Sequence, residues 1–271
     1  MSWLDLNSVF VIESLDAEYK TGKDLYQDSI KIFEYKLHGF ETKYSHVSNK
    51  KELFEILEEI IYLSQKKDYK PILHIEGHGN EKGLQLNPSG EFVLWEELGD
   101  YLRKINIAIK NSLIITTGVC FGSGLHKSIN TEEPAPFFGF IAPKTEIKNI
   151  EIIETYNEFY QTLLFEKDFI KAIKSIKYNP NLALFGSESI FEENERNLKN
   201  VMKQDFRDKA KMRLDMVIKT KKLKLNQAEY DEFLEKLLKN KKSEIIKEFQ
   251  NNKKRFLMTD RFPEISDRFL K

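Results

Sequence analysis

The chain has 271 residues, 41% hydrophobic, 12% aromatic and 32% charged, a balance that supplies a real core and excludes a disordered polymer. Forty-three Lys/Arg against 43 Asp/Glu leave no net charge, which argues against wholesale electrostatic capture of nucleic acid. The lone cysteine, Cys120, excludes an internal disulfide framework and any cysteine-rich zinc site.

Met1-Ser2-Trp3-Leu4-Asp5 lacks the basic flank and apolar run of a signal peptide. No uncharged stretch reaches the roughly 20 residues that span a bilayer. The expectation is a cytoplasmic protein without membrane contact, its cysteine kept as a thiol.

Ser8-Val9-Phe10-Val11-Ile12 is a short apolar run suited to a strand buried on both faces. Beyond a Gly22 turn, Tyr26, Ile30, Phe33 and Leu37 recur at helical spacing until Gly39 stops them. Glu41 to Val47 reads as a second strand, and Asn49 caps a helix with the stripe Leu53, Leu57, Ile60 and Ile61. Pro71-Ile72-Leu73-His74-Ile75 is a third strand running into Glu76-Gly77-His78-Gly79. Gly83 to Leu86 and Glu91 to Leu94 flank an Asn87-Pro88-Ser89-Gly90 turn as a small hairpin. A helix follows through Leu98, Leu102 and Ile105. The strand Ser112 to Thr117 then ends at Gly118-Val119-Cys120-Phe121-Gly122. Phe137 to Ile141 and Ala183 to Gly186 are two further strands, with helical sequence between them from about Glu146 to Lys177.

Alternating strands and helices imply an α/β fold with a mostly parallel sheet flanked by helices. Sites in such sheets form at the carboxyl ends of strands, and both His78 and Cys120 fall there. Beyond about Ile190 the composition changes. Residues 191–271 hold 22 Lys/Arg and 15 Asp/Glu, against 21 and 28 in residues 1–190. With one proline and few breakers, this part reads as a basic α-helical extension. Its apolar faces are Leu214, Val217 and Ile218, then Phe233, Leu234, Leu237 and Leu238. The expected division is therefore an α/β domain over 1–190 and a regulatory or partner-docking extension over 191–271. Opposite net charges favour docking of the two parts on each other. Interleaved Glu and Asp favour a solvated helix face over nucleic-acid binding.

His78 and Cys120 are the strongest chemical pair. Thiol attack on a carbonyl needs a sulfur that becomes thiolate, an imidazole to move protons, and donors for the oxyanion. Gly77 and Gly79 around the histidine, and Gly118 and Gly122 around the cysteine, let backbone approach a substrate closely. A helix starting near Gly122 would aim its positive end at the sulfur. The bland alternative is a small core cysteine and a turn histidine. His74, Glu76 and His78 share one strand face and could bind a metal, but they lack further clustered ligands, and a satisfied core histidine is the commoner outcome for His74. Ser123 caps the following helix or lines the pocket. Lys144 and Glu146, past another strand end, border the cleft or are solvated loop charges.

The segments Ile72-Leu73-His74-Ile75-Glu76-Gly77-His78-Gly79 and Leu113-Ile114-Ile115-Thr116-Thr117-Gly118-Val119-Cys120-Phe121-Gly122-Ser123-Gly124 resemble the caspase-like cysteine peptidases of clan CD, especially the prokaryotic CHAT-domain proteases. The hairpin, the helix start Trp95-Glu96-Glu97-Leu98 and the strand Phe138-Gly139-Phe140-Ile141-Ala142-Pro143 fall in similar order. The resemblance covers about Ser8 to Ser189. It implies a caspase-like fold in which His78 is the general acid/base and Cys120 the nucleophile, with the backbone N–H groups of Gly79 and Cys120 as oxyanion hole. Gly77, Gly118, Ser123 and Lys144 would line the cleft. Thr117-Gly118-Val119 stands where animal caspases carry Gln-Ala, which favours the CHAT branch over aspartate specificity. The resemblance further implies a specific protein substrate, no metal or organic cofactor, and a regulatory protein partner in a bacterial antiviral-defence or regulated-death setting. The rival expectation is a catalytically silent module of the same fold that binds protein or nucleic acid.

Overall fold

In the computed structural model, which describes residues 6–16, 18, 20–204 and 206–269 (for 199 and 201–204 the backbone alone), apolar runs become a sheet with helices on both faces. The strands are β1 (Ser8–Ser14), β2 (Glu41–His46), β3 (Pro71–Asn80), β4 (Gly83–Gln85), β5 (Phe92–Leu94), β6 (Ile114–Thr117), β7 (Gly139–Pro143) and β8 (Leu182–Gly186). They run in the order β2-β1-β3-β6-β7-β8, with the β4–β5 hairpin attached to the far end of β3. All main-sheet pairs are parallel except β7–β8. Every residue of β1 is buried, as a strand with neighbours on both sides and helices on both faces must be.

The helices are α1 (Thr21–Leu25), α2 (Phe33–Lys36), α3 (Lys50–Lys66), α4 (Trp95–Ala108), α5 (Asn149–Glu166), α6 (Phe169–Ile176), α7 (Ser187–Gln204), α8 (Phe206–Lys221) and α9 (Gln227–Phe256). Strand residues alternate between faces. Phe10, Ile12, Leu73, Ile75 and Ile115 therefore pack on α3 and α4, while Val9, Val11, Ile72, Ile114 and Ile141 pack on α1, α5 and α6. Asn49 caps α3 as expected, its side chain accepting from the Glu52 N–H at 3.0 Å.

One expectation needs correction, and two gain detail. Gly22 is not a turn before a helix but the second residue of α1, and a π-turn over Tyr26–Ile30 separates α1 from α2. The helical sequence expected from about Glu146 to Lys177 forms two helices, α5 ending at Lys167, whose φ is +51°, and α6 restarting on an Asp168 cap. The segment after Cys120 forms a 3-10 helix, Gly122–Ser128, rather than an α-helix.

The basic extension does return to the α/β part, but through apolar contacts. Phe191 at the start of α7 and Phe256 and Leu257 at the end of α9 cluster with Ala135. The Leu257 carbonyl accepts from the Asn111 side chain and the Phe256 carbonyl from the Ala135 N–H. Arg268, in a 3-10 turn over Pro263–Phe269, donates to Ser112 Oγ at 2.8 Å. At this clasp Lys110 of the α/β part pairs with Glu264 of the extension at 2.7 Å, opposite in sign to the charge argument. Between the two anchored ends, α8 and α9 pack mainly on each other through Leu214 and Leu234.

Candidate active site

The face covered by α1 and α5 is apolar where the strands begin and polar where they end. By period two its residues read Val9, Val11, Glu13 on β1; Ile72, His74, Glu76 on β3; and Ile114, Thr116 on β6. Glu13 and Glu76 are register neighbours, and both are buried. Buried carboxylates persist only when hydrogen-bonded, and each of these is. Glu13 Oε1 accepts from the Gly22 N–H at 2.7 Å and the Lys23 N–H at 3.2 Å, and its Oε2 from the Tyr44 hydroxyl at 2.6 Å. The Glu13 carboxyl group thus sits at the amino end of α1. Glu76 Oε2 accepts from the Thr21 hydroxyl at 3.0 Å, while Oε1 lies 2.8 Å from His74 Nε2. His74 Nδ1 is 2.7 Å from Thr116 Oγ1, which is 2.8 Å from the Tyr160 hydroxyl. The His74 ring meets Tyr156 edge-on at 4.9 Å.

His74 is therefore a satisfied core histidine. It and Glu76 are committed to each other and to hydroxyl partners, and among the described residues no three His, Cys, Asp or Glu side chains converge as a ligand set. Burial first, and the Glu76 carboxylate next, push the Tyr156 hydroxyl well above the usual phenol range. Burial also raises Tyr160, against the lowering effect of its Thr116 hydrogen bond. Both hydroxyls stay protonated, and Tyr156 donates to the Thr117 carbonyl.

The loop bearing Cys120 rests on this network. The Gly118 N–H donates to the Ile75 carbonyl at 3.0 Å, so the chain still follows β3 one residue beyond β6. A Cβ at Gly118 would stand 2.3 Å from Glu76 Oε2 and 2.4 Å from Oε1. Only glycine lets the backbone lie on that carboxylate. The Val119 N–H then donates to Thr117 Oγ1 at 3.0 Å, and the Tyr156 hydroxyl to the Thr117 carbonyl at 2.7 Å. Phe121, at φ +56°, reverses the chain, and its N–H donates to the Thr145 carbonyl at 3.2 Å. Cys120 is half-buried, with Sγ 4.0 Å from the Ile147 carbonyl oxygen. Among the described residues its backbone N–H has no hydrogen-bond partner.

His78 does not lie past a strand end, as the sequence suggested. It sits where β3 outruns its parallel neighbours and turns antiparallel to β4, with His78 opposite Gln85 and Gly79 opposite Leu84. The side chain is exposed, and its ring makes no hydrogen bond among the described residues. Gly79 is the point of contact between the two loops. A Cβ there would stand 2.3 Å from Val119 Cγ1 and 3.0 Å from the Cys120 carbonyl oxygen. Two further ties hold the β3–β4 hairpin against the 3-10 helix. Trp95 Nε1, packed on Gly124, donates to the Asn80 carbonyl at 3.1 Å, and Lys127 Nζ donates to the Glu81 carbonyl at 2.5 Å.

The structure thus sets Gly79, at the antiparallel end of β3, against the Val119 side chain and the Cys120 carbonyl oxygen, with His78 exposed one residue before it. Gly77 and Gly118 are near them but buried: Gly77 lies under the Leu84 side chain and Gly118 on Glu76, so neither forms an open cleft wall. Ser123 is no cap. It lies inside the 3-10 turn, half-buried, and its carbonyl oxygen is 2.8 Å from His126 Nδ1. Lys144 is exposed at the end of β7, its Nζ donating to the Pro180 carbonyl at 3.0 Å. Sequence reading missed Glu13, Thr21, Tyr156 and Tyr160. Their signal was available in apolar strands that end on Glu, and in Tyr156 and Tyr160 four apart on one helix face. A cavity of about 640 Å³ lined by Phe138, Phe169, Ile173, Leu184 and Phe185 lies elsewhere, along the β7–β8 edge, and includes neither loop. No known family model matches the chain, and no curated protein matches it.

Proposed function

We propose that the chain is a cysteine endopeptidase with a Cys120–His78 dyad. One observation supports the reading: Gly79, next to the exposed His78 on β3, lies against the Val119 side chain and the carbonyl oxygen of half-buried Cys120 at the carboxyl edge of the sheet. The unbonded Cys120 N–H is a ready oxyanion donor beside the sulfur. The buried network below fixes the loop, so the donor is held in place before substrate arrives.

In this mechanism His78 removes the Cys120 thiol proton and the thiolate attacks the scissile carbonyl carbon. The oxyanion is met by the N–H groups of Cys120 and Gly79. Collapse breaks the C–N bond, His78 returns its proton to the leaving amine, and a thioester remains. Water, deprotonated by His78, then hydrolyses the thioester and frees the thiol. Rotation about χ1 must first carry Sγ away from Ile147, a change of rotamer at one half-exposed side chain. No cofactor enters any of these steps. The substrate in this reading is a specific protein, and a regulatory partner engages the C-terminal helices, as the CHAT resemblance implies for a defence or regulated-death protease.

The contact between Sγ and the Ile147 carbonyl favours a second reading, a silent interaction module whose cysteine is merely packed. A peptide-library cleavage profile separates the two. The wild type should cut after one preferred side chain and Cys120→Ser should not cut. Identical cuts from both proteins would overturn the dyad.

A further inference from the structure

We propose that the α8–α9 arm binds the phosphate backbone of double-stranded nucleic acid through one face of α9. In sequence the lysines and glutamates of this segment alternate, and the whole chain is neutral. Folding sorts them. At about 100° per residue, Lys236, Lys239, Lys242, Lys247, Lys253 and Lys254 fall within one arc of roughly 140°. The other members of that arc between 236 and 254 are Ser243, Ile246 and Gln250, with no acidic residue among them. Glu244 and Glu248, the acidic residues of the same stretch, lie outside the arc, on the flank towards Glu132 that they share with Lys247 at the edge of the stripe.

Five of the six lysines are exposed and Lys253 is half-buried. Among the described residues none of the six makes an ion pair; the pairs of the arm instead use Arg207 with Glu235 and Lys241 with Glu244. Six cations therefore line about 27 Å of helix, with Glu232 and Glu235 on the same arc in the turn before Lys236. The arm is anchored at its base by Phe256 and Leu257 and otherwise packs on itself, so the stripe is presented clear of the sheet.

The chemistry of the stripe selects the partner. It contains no aromatic ring, the platform on which single-stranded bases stack. Its one large apolar residue, Ile246, offers little to a bilayer, where an interfacial helix buries a continuous apolar face. Flexible point charges spaced a turn apart suit a polyphosphate track, which carries one charge per about 3.4 Å along each strand. Binding of this kind is independent of sequence and of the Cys120–His78 chemistry.

The test uses the full chain and fluorescence anisotropy with a labelled 24-base-pair duplex, in DNA and RNA forms, between 50 and 200 mM salt. Six phosphate contacts give a log–log salt slope near −5.4 and a loss of about 10³-fold in affinity over that range for DNA. Lys239→Gln/Lys242→Gln/Lys247→Gln should halve the slope, to about −2.7. The charge-matched control Lys31→Gln/Lys66→Gln/Lys67→Gln, on exposed lysines of the α/β part, should leave it unchanged, as should Cys120→Ala. Tighter binding of the DNA or of the RNA duplex identifies the source of the phosphates, and either supports the proposal. Absence of duplex binding at 50 mM salt overturns it, as do equal losses in stripe and control variants. Preference for polyglutamate or for anionic phospholipid vesicles over the duplex also overturns it.

Discussion

Gly118→Ala asks whether the cysteine loop is held by the carboxylate beneath it. The added methyl would stand 2.3–2.5 Å from the three atoms of the Glu76 carboxyl group, where ordinary contact requires about 1 Å more. The carboxylate has no room to retreat, because Thr21 Oγ1 at 3.0 Å and His74 Nε2 at 2.8 Å hold it. Either the loop lifts, breaking the Gly118 N–H bond to Ile75, or Glu76 gives up a buried partner. A buried polar group left unpaired costs about 1–3 kcal/mol, and overpacking costs a similar amount. The expected destabilisation is about 3 kcal/mol, read by urea unfolding monitored by circular dichroism. In the double variant with Glu76→Ala the clash partner is gone, so the two changes should cost less together than their sum. A Gly118→Ala protein within 0.5 kcal/mol of wild type, near the background of surface substitutions, or strict additivity in the double variant, would refute the proposed role of Gly118.

Other consequences can be measured on the same protein. Tyr69, Tyr156 and Tyr160 are buried, with hydroxyls raised above the phenol range chiefly by burial. A raised folded pKa leaves stability intact below the unfolded value of about 10 and removes it above, so the unfolding free energy from urea titrations should hold to about pH 10 and then fall by about 4 kcal/mol per pH unit; a flat profile to pH 11.5 would contradict their burial. Phe191→Ala and Phe256→Ala each empty a fully packed position of the clasp and should cost about 3–5 kcal/mol, whereas Phe233→Ala, on the exposed arm, should cost under about 1 kcal/mol. Chain termination after residue 190 removes Phe191, Phe256 and Leu257 together and should give an unstable domain, while excision of residues 207–252 with a short linker should leave a folded one; thermal melts of both proteins decide this.

Much of the fold was legible because its signals are local. The apolar run at β1, the Asn49 cap and the stripe of α3 depend on neighbours in sequence, and they appear in the structure nearly where they were read. The π-turn after α1 was not legible. Gly22 reads as a breaker, but its N–H is wanted by Glu13 from a strand, a long-range demand that overrides the local preference. The approach of the Gly77–Gly79 segment to the Cys120 loop could be inferred from two glycine-flanked stretches of sequence. The polar floor beneath them left local traces in the Glu-bearing strand ends and the Tyr156–Tyr160 spacing, but not its assembly, because Glu13, Glu76, His74, Thr21 and Tyr160 converge only after four elements have packed. The clasp escaped for a related reason: net charge predicts attraction between the two parts, while Phe191, Phe256 and Leu257 are what they share.

The dyad itself is tested most directly by covalent labelling. Purified full-length protein and the arm-excised form would be treated with a peptide acyloxymethyl ketone and analysed by intact-mass spectrometry. The wild type should gain one adduct, mapped to Cys120. Cys120→Ala should gain none, and His78→Ala should react at least about 10²-fold more slowly, the scale of one general acid/base. Labelling of His78→Ala at the wild-type rate, or of Cys120→Ala at all, would contradict the account.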